Sequence, residues 1–139
     1  MNNVVVFGLD FDAVSIACAK LSQKLNLKYV NISDVFSKKL LSTINQPTIL
    51  VDDYLHDKED LLTLQLSAKD NIIIAMPDDM FLSNQHYKNF KNSLKILILS
   101  NKNNAVLNNI ENLLIAKADI VLEKDFNLEE TIIKIKEKL

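Results

Sequence analysis

The residues best placed for chemistry follow the first apolar run of the chain. Positions 8–15 read GLDFDAVS, where a phosphate-binding loop would read G-x-x-x-x-G-K-[ST]. Gly8 and Ser15 match that pattern, but Ala13 replaces the second glycine and Val14 replaces the lysine. That lysine would reach the β- and γ-phosphates of a nucleotide. The stretch therefore has the position of a phosphate-binding loop without its main cationic group.

Acidic residues follow several of the predicted strands. They are Asp10 and Asp12, Asp52 and Asp53, Asp78 and Asp79, and Asp125. Because ligands of open α/β sheets bind at the carboxyl ends of the strands, one hypothesis is an acidic cleft for a divalent cation or a basic partner. Asp10, Asp12, Asp78 and Asp79 are its candidate ligands. The simpler interpretation, which we favour, is that these aspartates cap helices and begin turns.

The other reactive side chains have no partner at a useful spacing. His56 and His86 stand in polar surroundings, and we expect both at the surface. Ser15 has no base beside it and is interpreted as a first-turn helix residue. Cys18 is predicted to be a small buried residue within a helix.

Apolar runs and helical segments alternate along the chain. Strands are predicted at 4–8, 28–32, 71–76, 95–100 and 119–124, with a sixth one open at 47–53. Helices are predicted at 12–25, 34–43, 58–69, 83–92, 104–117 and 127–139. Asp12 is the expected N-cap of the first helix, and Leu128, Ile132, Ile135 and Leu139 form the apolar stripe of the last. Continuously apolar strands are typical of a parallel sheet covered on both faces, so we predict a three-layer α/β/α fold.

Composition limits the chemistry further. The 139 residues carry a net charge of −2 and predict one domain over 1–139, with no nucleic acid or membrane as partner. The chain contains a single glycine and no arginine. Phosphate cradles use glycine, and arginine is the usual bidentate ligand of carboxylates and phosphates. The early first strand leaves no room for a signal peptide, and the one cysteine fits a cytoplasmic location.

Three segments together resemble the shikimate kinase family. Residues 2–36 are similar to its opening strand, phosphate loop, helix and second strand. Residues 70–100 are similar to its "NxVIATGGGxxL" strand with the helix and strand that follow, and 116–139 to its last strand and helix. The resemblance runs nearly end to end and implies a five-stranded sheet of order 2-3-1-4-5.

The functional residues of that family do not carry over. Its two aspartates after the second strand fall on Asn31 and Ser33, and its substrate-binding arginine falls near His56. Its triple glycine falls on Pro77, Asp78 and Asp79. Only 101–117 is available for the lid, and a predicted helix uses most of that segment. The resemblance therefore implies a retained fold without the ATP-binding, shikimate-binding and lid elements.

Two alternatives stay open. A receiver-like signalling domain would place Asp10, Asp12, Asp53 and Lys124 in one acidic pocket, with Ser100 ending a strand. It would have the sheet order 2-1-3-4-5. The other alternative is residual small-molecule kinase activity.

We interpret the chain as a catalytically inactive, shikimate-kinase-like pseudoenzyme. It is expected to have no catalytic residue, cofactor or metal. Gly8, Ala13, Val14 and Ser15 would be the remains of its phosphate loop. It would act as an interaction, regulatory or structural module through a protein partner or a homo-oligomer.

Overall fold

The computed structural model describes residues 3–35, 37, 52–101 and 104–139. Within these ranges, five strands alternate with helices. The strands are β1 (Val4–Gly8), β2 (Lys28–Asn31), β3 (Ile72–Pro77), β4 (Leu94–Ile98) and β5 (Ile120–Leu122). The helices are α1 (Phe11–Leu25), α2 (Asp52–Ser67), α3 (Asp78–Leu82), α4 (Asn84–Asn89), α5 (Ala105–Ile115) and α6 (Leu128–Lys138).

The strands form one sheet with the order β2-β3-β1-β4-β5, and every pairing is parallel. This order confirms the predicted fold. It contradicts the receiver-like alternative, because β3 lies between β1 and β2. Asp53, which that alternative places at the end of a strand, lies instead in the first turn of α2.

Helices cover both faces of the sheet and give it two hydrophobic cores. Strand β1 is fully buried and contributes to both of them. Val4 and Val6 pack on the side of α1 and α6, and Val5 and Phe7 pack on the side of α2, α3 and α5. Alternation of side chains along a strand produces this division. Each such buried side chain contributes about 1.5–3 kcal/mol relative to an exposed one.

Short polar side chains cap the start of three helices, α1, α5 and α6, and an asparagine ends α1. Asn104 caps α5 through Val106 and Leu107, and Asn127 caps α6 through Glu130. Asn26 ends α1 in the left-handed conformation, with its N–H bonded to the Ser22 carbonyl. Asn26, Asn71 and Asn101 all have positive φ. Asparagine tolerates this region better than most residues, so in this chain it takes positions that glycine usually occupies.

Several predicted boundaries are wrong. Helix α1 begins at Phe11, before Asp12, and its N-cap is Asp10. The helix predicted at 83–92 is shorter, α4 (Asn84–Asn89), and an unpredicted helix, α3, precedes it, separated from it by the extended Ser83. In the last helix, Ile135 is buried but Leu139 is 42% exposed.

Some predictions fall on residues that the structure does not describe. Positions 47–51 of the sixth strand lie outside the described ranges, while Asp52 and Asp53 are helical. The helix predicted at 34–43 lies mostly outside them as well. No helix within the described part of the chain has both the length and the apolar character needed to cross a membrane.

Candidate functional site

The turn from β1 into α1 is the candidate site, and Gly8 makes it possible. Only Leu9 and Asp10 connect the strand to the helix. A Cβ atom on Gly8 would lie 2.5 Å from the carbonyl oxygen of Ile98 and 3.3 Å from Cγ2 of Val14. Glycine is therefore required here because the ends of β1 and β4 approach each other closely.

Asp10 joins the start of α1 to the far end of the chain. Its Oδ1 accepts a hydrogen bond of 3.2 Å from the backbone N–H of Ala13. Its Oδ2 lies 2.7 Å from Nζ of Lys124, in the turn after β5. One carboxylate thus caps the helix and forms an ion pair across 114 positions of sequence. A helix N-terminus favours negative charge, and here a side chain of the protein supplies it.

A cleft of about 330 Å³ lies beside this ion pair. Its walls are Asp10, Asp12, Ala13, Ile16, Ala17, Lys20, Lys124 and Phe126. The exposed Ile16 and the half-buried Phe126 give the cleft an apolar side, and Lys20 and Lys124 give it a cationic side. The structure thus brings together three residues of the receiver-like alternative, Asp10, Asp12 and Lys124, although that fold is wrong.

The other phosphate-loop positions lie within α1. Val14, at the lysine position, is fully buried in the core shared by α1 and α6. Ser15 lies in the helix, as predicted, but in its second turn and not its first, because α1 begins at Phe11. The N–H of Val14 donates to the carbonyl of Asp10 at 3.1 Å, and the N–H of Ala13 is bonded to the Asp10 carboxylate. Both of these N–H groups, which a phosphate loop would present to a ligand, are bonded within the chain.

The Asp78–Asp79 pair lies next to this turn, because Gly8 pairs with Pro77 at the ends of β1 and β3. Burial of Asp78, reinforced by the charge of Asp79, raises the pKa of Asp78 above its ordinary value. Asp79 accepts a hydrogen bond of 3.0 Å from the N–H of Met80. The two acidic pairs follow the adjacent strands β1 and β3, but neither Asp78 nor Asp79 lines the cleft.

Of the other family positions, one aligns with a residue that hydrogen-bonds to the backbone and one with a side chain that the structure does not describe. The Oδ1 atom of Asn31 accepts bonds of 3.0 and 3.3 Å from the N–H groups of Ser33 and Asp34, where the backbone turns helical. The side chain of His56 is among those that the structure does not describe. Among the described residues, no group of three or more His, Cys, Asp or Glu side chains could hold a metal.

His86 was expected at the surface, and that prediction is wrong, because it is only 2% exposed. Its Nδ1 lies 2.8 Å from the carbonyl oxygen of Met80. Its Nε2 lies 2.8 Å from Oδ1 of Asp60. Its polar neighbours in sequence concealed this burial. The usable signal was Phe90, four residues later on the same helical face.

Cys18 is fully buried, as predicted. Burial raises the pKa of its thiol well above the ordinary value. The thiol is therefore a poor nucleophile.

Comparisons with solved structures identify the fold of the chain that carries this site. No protein-family model matches the chain, and no curated protein matches it either. Among solved structures, shikimate kinase from Aquifex aeolicus vf5 superposes with a TM-score of 0.70 and 18% identity, over 98% of this chain and 94% of that one. Shikimate kinase from Acinetobacter baumannii, in complex with shikimate, gives 0.69 and 13%, over 99% and 92%. The enzyme from Bacteroides thetaiotaomicron gives 0.65 and 7%, over 99% and 97%. The sheet order and these superpositions together show that the chain has the fold of the shikimate kinases.

Proposed function

We propose that this chain is a non-catalytic protein with a shikimate-kinase-like fold, and that it acts through contacts with a protein partner or a second copy of itself. It would consist of one domain over 1–139 and work in the cytoplasm. Fold alone does not determine activity, so the proposal depends on the site.

The observation that carries the proposal is the Asp10 carboxylate at the start of α1. It accepts the N–H of Ala13 and pairs with Nζ of Lys124 at 2.7 Å. It therefore occupies the place where a phosphate group would meet the helix N-terminus and a cation. An incoming phosphate would meet this charge and the nearby charge of Asp12, and it would have to displace the ion pair.

Two further features support the same conclusion. The segment between β4 and β5 contains α5 (Ala105–Ile115), which leaves little chain for a lid over a substrate. The chain has no arginine to stabilise charge on a transferring phosphoryl group. Gly8, Ala13, Val14 and Ser15 would then be remains of a phosphate loop, retained for packing.

The direct test is calorimetric titration of the purified chain with Mg·ATP, Mg·ADP and shikimate. A shikimate kinase measured in the same buffers provides the positive control. We expect no heat of binding and no thermal shift at millimolar ligand. Saturable binding of a nucleotide, or transfer of phosphate to shikimate, would overturn the proposal.

Two variants test whether the Asp10 carboxylate occupies the anion position at the start of α1. Asp10→Ala removes the capping carboxylate, and Asp12→Ala removes the same charge from the exposed first turn. With inorganic phosphate as the probe, we expect a shift of the Ala13 amide signal in Asp10→Ala alone. If phosphate shifted the Ala13 amide signal equally in the parent chain and in Asp10→Ala, Asp10 would not occupy the anion position.

The cleft favours a second candidate, residual kinase activity toward a small molecule. Its apolar wall at Ile16 and Phe126, beside Lys20 and Lys124, could hold a ring and an anionic group. The same calorimetric titration decides between the two, because this candidate requires nucleotide binding.

A further inference from the structure

A second cleft lies at the amino ends of β4 and β5, at the other end of the strands from the turn between β1 and α1. Its volume is about 290 Å³. Lys91, Lys95 and Lys138 line it, with Asp119 as the one acidic side chain and with the last residue, Leu139. The cleft is therefore cationic, although the whole chain carries a net charge of −2.

Lys95 is the unusual member, because its side chain is only 7% exposed. Its Nζ donates to the carbonyl oxygens of Ser93 at 3.0 Å and Lys91 at 3.3 Å. It also lies 5.6 Å from the ring centroid of Tyr87, within range of a cation–π contact. An ammonium group with three N–H donors thus has two carbonyl acceptors, and the described residues supply no third hydrogen bond.

The negative charge nearest to Lys95 is already engaged. Oδ2 of Asp119 lies 3.9 Å from Nζ of Lys95, beyond hydrogen-bonding distance. The same oxygen accepts a bond of 2.9 Å from the backbone N–H of Lys95. A desolvated charge is costly unless it is paired and hydrogen-bonded, so this ammonium is only partly compensated.

The other two lysines reach the cleft from separate elements and add uncompensated charge. Lys91 lies in the turn after α4, and Lys138 lies in the last turn of α6. Both are exposed, and neither forms an ion pair with any described carboxylate. Three lysines from three elements thus line one cleft.

From this arrangement we propose that the cleft binds a small oxyanion with two or more phosphate or carboxylate groups. Lysine binds such groups as a point charge. The volume is at the lower end of the range for ligand pockets, roughly 300–1,000 Å³, which suits a compact anion better than a nucleotide. The site lies at the opposite end of the strands from the phosphate-loop turn, so it does not depend on the proposed function.

The test is an NMR titration of the unmodified chain with pyrophosphate at low ionic strength, following the amide signals of Asn92 and Ser93. Citrate in a parallel titration distinguishes a carboxylate ligand from a phosphate ligand. We expect saturable shifts with at least one of the two probes. Shifts that stay linear with concentration would overturn the proposal, because they indicate ion screening only.

Matched variants test the residues. In Lys91→Gln/Lys138→Gln, which changes exposed residues only, we expect binding about tenfold weaker, a loss of about 1.4 kcal/mol. In Lys134→Gln/Lys136→Gln, which removes the same charge from α6 outside the cleft, we expect an unchanged affinity. Equal weakening in both variants would show a general charge effect and refute the site. Lys95→Met should abolish saturable binding if the variant folds. If it does not fold, the result for Lys91→Gln/Lys138→Gln decides whether the site exists.

Discussion

At the scale of single residues, Gly8 has no room for a side chain. The Cβ of alanine would lie 2.5 Å from a backbone oxygen of β4, and backbone cannot yield as a flexible side chain can. We expect Gly8→Ala to lower the free energy of unfolding by about 1–3 kcal/mol, the usual cost of overpacking. Urea denaturation measures it, with Ala19→Ser as a control that adds one atom at an exposed position of α1. Equal stability of the two variants would contradict the close approach.

Asp78 should make stability depend on pH. Burial, with the charge of Asp79, raises its pKa above the ordinary 3.8, so the folded state holds the proton more tightly than the unfolded state. Stability therefore falls as pH rises from 3.8 through the folded-state pKa. We expect Asp78→Asn to be more stable than the parent at neutral pH, and the difference to vanish below pH 3.8.

Denaturation curves across this pH range check the prediction for Asp78. Asp70→Asn, at an exposed position, is the control and should change stability little at any pH. A loss of stability in Asp78→Asn at neutral pH would mean that the carboxylate stabilises the start of α3 more than its burial costs.

At the scale of elements, Asp10 has two roles that can be separated. Asparagine is also a good N-cap, so Asp10→Asn removes the ion pair with Lys124 and keeps the cap. Because the pair is partly exposed, its loss should cost less than about 1 kcal/mol. Asp10→Ala also removes the cap, which should cost about 0.5–2 kcal/mol more.

Urea denaturation of both Asp10 variants, together with Lys124→Met, measures the two contributions. Lys124→Met removes the ion pair but keeps the charge of Asp10 at the helix N-terminus, so it should cost no more than Asp10→Asn, which removes both. If Asp10→Ala were no worse than Asp10→Asn, the cap would contribute nothing to α1.

The elements also show how far the sequence alone could predict this structure. Buried parallel strands are recognisable because both of their faces are apolar, as in VVVFG at 4–8. Helix boundaries were harder because Asp10 and Asp12 are equally good caps. Which of the two caps α1 depends on where β1 ends against Ile98, and that is a tertiary contact. The short helix α3 at 78–82 also escaped prediction.

The candidate site could be predicted only in part, for the same reason. The stretch GLDFDAVS is a local pattern, and its position after the first strand was sufficient to find the turn from β1 into α1. The pairing of Asp10 with Lys124 joins residues 114 positions apart and follows from the sheet order. The burial of His86 depends on helices packed from elsewhere, so the polar residues beside it in sequence were misleading.

At the scale of the whole molecule, β1 connects the two cores and should make them unfold together. Its alternate residues pack against α1 on one face and against α2 and α5 on the other, so neither layer has a core without the shared sheet. We expect Leu21→Ala on α1 and Leu114→Ala on α5, both fully buried, each to cost about 2–5 kcal/mol. Each should destabilise both layers equally.

Native-state hydrogen exchange in increasing urea measures this coupling. In the parent chain, the most protected amides of α1 and α5 should converge on one free energy of opening. Leu21→Ala should lower that value for the amides of α5 as much as for those of α1, and Leu114→Ala should do the reverse. The exposed variants Ile16→Ala and Leu113→Ala are the matched controls, because they shorten apolar side chains on the same helices without opening a cavity. If Leu21→Ala lowered protection in α1 alone, the two layers would be separate folding units, and the continuity of β1 would not couple them.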